Sequence, residues 1–326
     1  MTWQPPITLR TLDGVNPVIR HSVAGAVALA AGVVYRLGGV RVVFEGEQHL
    51  GDAPCVVMMN HSHLYDWLPV RLEMFRRFGR LCANLVKPLP YQGALQGRFL
   101  HATGNVPIAS RGYVLIADFR MLEGRRPTEP EYRHLRDHID GRPEPRGERT
   151  DAVARALGTP RDMLGRAFDP AVETYAQAVQ DAFRRFATRT AELADNAMRQ
   201  DSWLLVTPQG LVNSRLTPGR IGALQFAHHL DRPIVPCGVS GVREAFPGGI
   251  LRPAGGTITV RFGAPFRLRL PDDHVIFERA SEERNRALIE GETQTMMERI
   301  NGLLDPAYQW DVDPEGDGLK GVGRFI

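Results

Sequence analysis

The run Cys55 to Met59 is apolar at every position and lies between Pro54 and the polar string Asn60-His61-Ser62-His63. A stretch this short, partly β-branched and closed by a breaker on one side and polar groups on the other, fits a buried strand. The flanking sequence continues in the same manner. Val40 to Phe44 reads as a strand and Gly46 to Ala53 as a turn, while Leu68, Leu72, Phe75 and Phe78 share one helical face between Trp67 and Phe78. Leu81 to Val86 is a further strand, Lys87-Pro88 leads into a helix before Gly104, and Asn105 to Ile108 is a short strand ending at Ala109-Ser110-Arg111. This strand–loop–helix rhythm favours α/β architecture.

The rhythm pauses after Arg111. Arg120 to Thr150 mixes arginine with acidic residues and four prolines, a surface composition. Ala171 to Gln200 is amphipathic, with Val172, Tyr175, Val179, Phe183, Phe186 and Leu193 at the helical period. Residues 112–201 therefore read as a helical insertion, either a lid or membrane-facing cap, or a helix that merely covers the sheet. Strands resume at Trp203 to Val206, Pro233 to Val239 and Thr257 to Phe262, with helices over Ile221 to Leu230 and Glu282 to Leu304. The polar tail from Asp305 reads as an extended surface segment. The expected organisation is an N-terminal helical segment 1–39, an α/β domain 40–270 interrupted by 112–201, and a C-terminal helix and tail 271–326.

A chain of 326 residues, 43% of them hydrophobic, has material for one large α/β domain or two modest ones. Its net charge of +3 is too mild to argue for nucleic acid and is compatible with anionic lipid. Cys55, Cys82 and Cys237 are an odd set without CxxC spacing, which favours a reducing, cytoplasmic compartment. The apolar stretch Val23 to Val34 is about a dozen residues, against the roughly 20 that span a bilayer. It is either a helix lying on a membrane surface or a buried one. Lys87 and Lys320 are the only lysines, so Lys87, in mid-chain, is singled out.

His61 directly follows the Cys55–Met59 strand, where α/β proteins place functional loops. Its spacing from Asp66 lets the loop fold back, so that the carboxylate meets one imidazole nitrogen and raises the basicity of the other. This is the His–Asp half of a catalytic triad, with a substrate hydroxyl as nucleophile.

Val57-Met58-Met59-Asn60-His61 through Asp66 resembles the first signature of the lysophosphatidate acyltransferase (PlsC-like) family of glycerolipid acyltransferases. Lys87, Pro90, Gly93 and Gly104 through Arg111 are similar to that family's second block, and Thr207-Pro208-Gln209-Gly210 to its third. Pro233-Ile234-Val235-Pro236 with Gly238 to Gly241 is similar to the fourth, and Val260 to Pro265 to the closing strand. The blocks follow in order over about residues 35 to 270, the insertion aside. The resemblance implies a mixed β-sheet flanked by helices and a 1-acylglycerol-3-phosphate acyltransferase-like O-acyl transfer. Acyl-CoA or acyl carrier protein would be the donor, and a lysophospholipid or related lipid the acceptor. It further implies a peripheral place on the inner face of the cell membrane. His61 is then the general base oriented by Asp66, and Lys87, Arg111, Gln209 and Gly210 bind the acceptor. A thiolate is a good leaving group, so this chemistry needs no metal and no cofactor besides the acyl donor.

The chain departs from the family in the third block, where Gln209 replaces glutamate and Leu211-Val212 replaces Thr-Arg. Loss of a guanidinium at 212 removes a bidentate phosphate contact, for which Arg215 or Arg220 would substitute. The expected acceptor is a lysolipid, glycolipid or lipid-like alcohol other than lysophosphatidate; the alternative is that Gln209 is a tolerated variant and a phosphate is still bound by Arg111 and Arg215. Two other readings stand beside this one. The chain would be a non-catalytic protein that binds lipid or acyl thioester, or a metallo-hydrolase using His61, His63 and Asp66, although Asp66 falls three residues after His63 rather than two.

Overall fold

The computed structural model describes residues 6–15, 21–88, 91, 93–249, 252–268 and 270–310; Pro90 and the tail past residue 310 lie outside the described residues. The strands are β1 (Val40–Glu45), β2 (Val56–Met59), β3 (Cys82–Val86), β4 (Val106–Pro107), β5 (Arg161–Met163), β6 (Arg166–Phe168), β7 (Trp203–Val206), β8 (Ile234–Ser240) and β9 (Gly256–Phe262). The first six helices are α1 (Leu9–Asp13), α2 (His21–Leu37), α3 (Trp67–Phe78), α4 (Ala94–Ala102), α5 (Arg111–Glu123) and α6 (Glu129–Ile139). They are followed by α7 (Asp151–Gly158), α8 (Tyr175–Arg199), α9 (Ile221–His229), α10 (Val242–Ala245), α11 (Arg279–Arg284) and α12 (Arg286–Asn301).

Seven strands make one mixed sheet in the order β1-β9-β8-β2-β7-β3-β4, and β5 pairs with β6 as a separate hairpin. Strands β8, β2, β7, β3 and β4 are parallel; β9 is antiparallel to β8 and carries β1 parallel to itself. The central β2 and β7 are buried at every position, as parallel strands covered on both faces must be. Alternate residues divide between the faces. Val57 and Met59 meet Val70, Leu72 and Met74 of α3 and Ala31 and Tyr35 of α2, whereas Val56 and Met58 meet Leu224 and Ala227 of α9 and Met296, Met297 and Ile300 of α12.

This division decides how the chain leaves the sheet. Helix α3 takes the chain from β2 to β3 across one face, and α9 takes it from β7 to β8 across the other. Because β2 and β7 are neighbours, their outgoing connections diverge at the carboxyl ends of the two strands, the place where open α/β sheets carry their functional loops.

Between β4 and β7 the chain forms α5 to α8 and the β5–β6 hairpin. Asp118 of α5 is fully buried and takes a bidentate pair from Arg161 at 2.9 and 2.6 Å, with the Tyr175 hydroxyl donating at 3.1 Å. Helix α8 begins at Tyr175 rather than at Ala171, because Thr174 and Gln177 form a reciprocal capping box that fixes its start. Val172, expected on its apolar face, is consequently outside the helix and exposed. Helix α8 packs against β3, β4 and β7; Phe186 is buried, and Phe183 stacks edge-on against Phe277.

Two further expectations are corrected. The C-terminal helix is broken at Asn285, whose side chain donates to the Ser281 carbonyl and bonds the His274 ring, so the chain turns between α11 and α12. Residues 305–310 are not an extended surface segment, since Tyr308 is buried and its hydroxyl donates to Glu244. No helix among the described residues is long and apolar enough to cross a membrane. Helix α2 buries Ala31 and Tyr35 while Leu29, Val33 and Leu37, one turn apart, are exposed.

Candidate active site

Strand β2 ends at Met59, and Asn60, the next residue, ties the chain to β8. Its side chain donates to the Val239 carbonyl at 2.9 Å and accepts the Val239 amide at 2.8 Å. The chain then doubles back, with the Asp66 amide donating to the His63 carbonyl at 3.2 Å. Asp66 occupies the position before α3 where a carboxylate ordinarily caps the helix, yet it makes no capping bond. Its carboxylate turns to the loop instead. It accepts the Ser62 amide at 2.7 Å, the His63 amide at 3.1 Å and His61 Nδ1, which is 3.1 Å from both oxygens.

Asp66 is 0% exposed, so these donors replace the water its charge gives up. An ionised carboxylate only accepts, which assigns the ring proton to Nδ1 and leaves the lone pair on Nε2. The His61 side chain keeps 18% of its surface exposed. A fixed tautomer with an outward basic nitrogen is the arrangement a general base requires.

The loop after β7 supports the other side of His61. Thr207 to Gly210 forms a turn closed by the Gly210 amide on the Thr207 carbonyl, and Gly210 has φ +71°, a conformation that favours glycine. Gln209, 1% exposed, accepts the His61 amide at 2.8 Å on Oε1 and donates from Nε2 to the Arg215 carbonyl at 3.3 Å and Thr217 Oγ1 at 3.1 Å. The Asn213 amide donates to the His61 carbonyl at 2.8 Å. Both backbone polar groups of His61 are thus held by one segment.

The structure therefore gathers His61, Asp66 and Gln209. Lys87 is exposed just past β3. Arg111 opens α5 beyond β4, with β7 and β3 between its strand and β2. It donates to Glu282 at 2.9 Å and Gln180 at 2.8 Å, and its guanidinium lies 4.6 Å from the Phe183 ring centroid. The Arg215 side chain is exposed and donates to the Gln309 carbonyl at 3.3 Å. His63 accepts the Tyr65 amide on Nδ1 at 3.3 Å. Burial holds its imidazole below the ordinary range, His61 and Arg243 add to the effect, and Asp66 and the Phe246 backbone oppose it. Among the described residues no three His, Cys, Asp or Glu side chains converge as a metal-holding group. The three cysteines are free and buried, and burial pushes Cys55 and Cys82 up to about 12.

Asn60 and Glu282 escaped the sequence reasoning. Asn60 carried a local signal, an amide closing a wholly apolar strand. Glu282 carried none, because the arginine it serves is 171 positions away.

No protein-family model matches the chain, and no curated protein matches it in sequence. Among solved structures it is similar to the 1-acyl-sn-glycerophosphate (LPA) acyltransferase PlsC from Thermotoga maritima. The identity is 12% and the TM-score 0.39, over 82% of this chain and 79% of that one. An overlap this loose transfers no residue role, so the chemistry of this chain rests on its own side chains.

Proposed function

We propose that the chain is an O-acyltransferase that moves a fatty acyl group from an acyl thioester, acyl-CoA or acyl carrier protein, to a hydroxyl of a lysolipid or related lipid alcohol. The observation that carries this reading is the fully buried Asp66 carboxylate, held by two backbone amides beneath the partly exposed His61 ring. His61 Nε2 takes the proton of the acceptor hydroxyl as its oxygen bonds to the thioester carbonyl carbon, and Asp66 stabilises the imidazolium that results. The C–S bond then breaks, and the departing thiolate recovers the proton. A thiol is far more acidic than an alcohol, so the alcohol needs the base and the leaving group needs little help.

Arg111 already has a carboxylate partner in Glu282, which a phosphate monoester would have to displace. That pairing supports an acceptor other than lysophosphatidate. Exposed Leu29, Val33 and Leu37 on α2, Leu95 and Phe99 on α4, and Leu64 in the His61 loop support peripheral docking on a membrane, where such an acceptor resides.

The test is acyl transfer from acyl-CoA across a panel of lysolipids, wild type against His61→Ala. The expected loss is on the order of a thousandfold, because proton removal and orientation vanish together. Near-normal turnover by the variant would overturn the assignment, and lysophosphatidate as the fastest acceptor would overturn the acceptor class.

A further inference from the structure

We propose that Gln209 is the positioning residue of this site: it sets the His61 backbone so that the imidazole meets Asp66, and it does not bind the acceptor. The inference rests on the acyl-transfer reading for its kinetic readout alone. Both ends of the Gln209 side chain are engaged inside the protein, the oxygen by the His61 amide at 2.8 Å, the nitrogen by the Arg215 carbonyl at 3.3 Å and Thr217 Oγ1 at 3.1 Å. With the residue 1% exposed, little of it is presented to a ligand.

The two ends also demand opposite polarity. Toward His61 the side chain must accept, and toward the Arg215 carbonyl it must donate. An amide does both; an ionised carboxylate would face a carbonyl oxygen with no proton between them. The departure of this chain from the glutamate of similar third blocks is thereby matched to a change of partner, a backbone carbonyl that only a donor satisfies. The span matters because β2 and β7 send their chains to opposite faces of the sheet, and the loops that follow them meet at His61 through this side chain and the Asn213 amide. Geometry at a general base counts steeply, since a misplacement of about 1 Å costs on the order of a hundredfold in rate.

The experiment uses the whole chain labelled with [15N]histidine, with His61→Ala to assign the ring signals, and compares wild type, Gln209→Met, Gln209→Glu and Thr217→Val. Gln209→Met keeps the volume and removes all three side-chain bonds. Its His61 ring signals move toward a mixture of tautomers, kcat falls about tenfold or more, and the acceptor KM stays within about twofold. Thr217→Val, which removes only one far partner, shifts both readouts less and in the same sense, and Gln209→Glu falls between. A raised acceptor KM at unchanged kcat would make Gln209 an acceptor ligand and overturn the proposal. Unchanged ring signals in folded Gln209→Met would overturn it as well. If that variant does not fold, Gln209→Glu and Thr217→Val decide the matter by the same signals. A wild type without transfer activity, whose ring signals still respond to Gln209→Met, refutes the acyl-transfer reading and upholds the positioning role.

Discussion

Three donors converge on the Asp66 carboxylate, two from the backbone and one from the His61 ring, and only the ring nitrogen can turn acceptor, by giving up its tautomer. Asp66→Asn keeps the shape but turns an NH2 group toward at least one of them. The expected result is a loss of acyl transfer of about 10⁴-fold, as when the wrong imidazole tautomer is enforced. It is accompanied by a stability loss of about 1–3 kcal/mol for the unpaired buried donor, read by urea titration. The His61–Asp66 bond was legible in the sequence because both partners lie in one tight loop after a strand. The bond from the His61 amide to Gln209 was not, because the two are 148 positions apart and only the sheet brings them together. Arg111 illustrates the same limit: the family resemblance implied an acceptor ligand, and the pairing with Glu282, 171 positions away, left no trace in the local sequence.

The α5–α8 segment packs on an apolar cluster and is tied by buried carboxylates, Asp118, Glu131 and Asp137, each paired with arginine. Removing Asp118 by Asp118→Ala leaves the largely buried Arg161 charge without its counter-ion, with only the Thr159 and Ala156 carbonyls to accept from it, and takes the acceptor from the Tyr175 hydroxyl; the expected cost is about 3–5 kcal/mol in denaturant titration. Thr174→Ala removes one half of the α8 capping box and is expected to cost about 1 kcal/mol by the same measurement. Hydrogen bonding to Arg125, assisted by the Thr128 amide and the Thr150 hydroxyl, holds the Glu131 carboxyl down to about 2, and Arg146 does the same for Asp137. Both folded-state values lie below those of the unfolded chain, so their stabilisation is complete above the ordinary carboxylate range and disappears as pH falls toward 2. Melting temperature followed from about pH 6 to pH 2 should therefore drop most steeply below about pH 4, and less steeply in Glu131→Gln. Element existence was legible from period and punctuation, as α3 and β7 illustrate. Boundaries at α8 and Asn285 were not, since they depend on which side chain wins a particular backbone group.

Across the whole molecule, the exposed stripe Leu29, Val33 and Leu37 shares α2 with a buried face, which explains why its apolar sequence alone did not decide between membrane surface and interior. If that stripe docks on lipid, the triple change to glutamate lowers co-sedimentation with anionic phospholipid vesicles by on the order of tenfold or more without altering the fold, and unchanged binding dismisses the surface. Strand order was beyond sequence reasoning altogether. Strand β7 sits between β2 and β3, which precede it in the chain, after α5 to α8 have been made. This late insertion has a temporal consequence. Local contacts form quickly and distant pairings slowly. During synthesis, a nascent chain grown just past β4 already possesses the imidazole and its carboxylate, yet lacks the segment that steadies them. Catalytic competence should accordingly emerge only when the seventh strand slots home, lagging behind the acquisition of helical signal when the denatured protein is returned to native conditions.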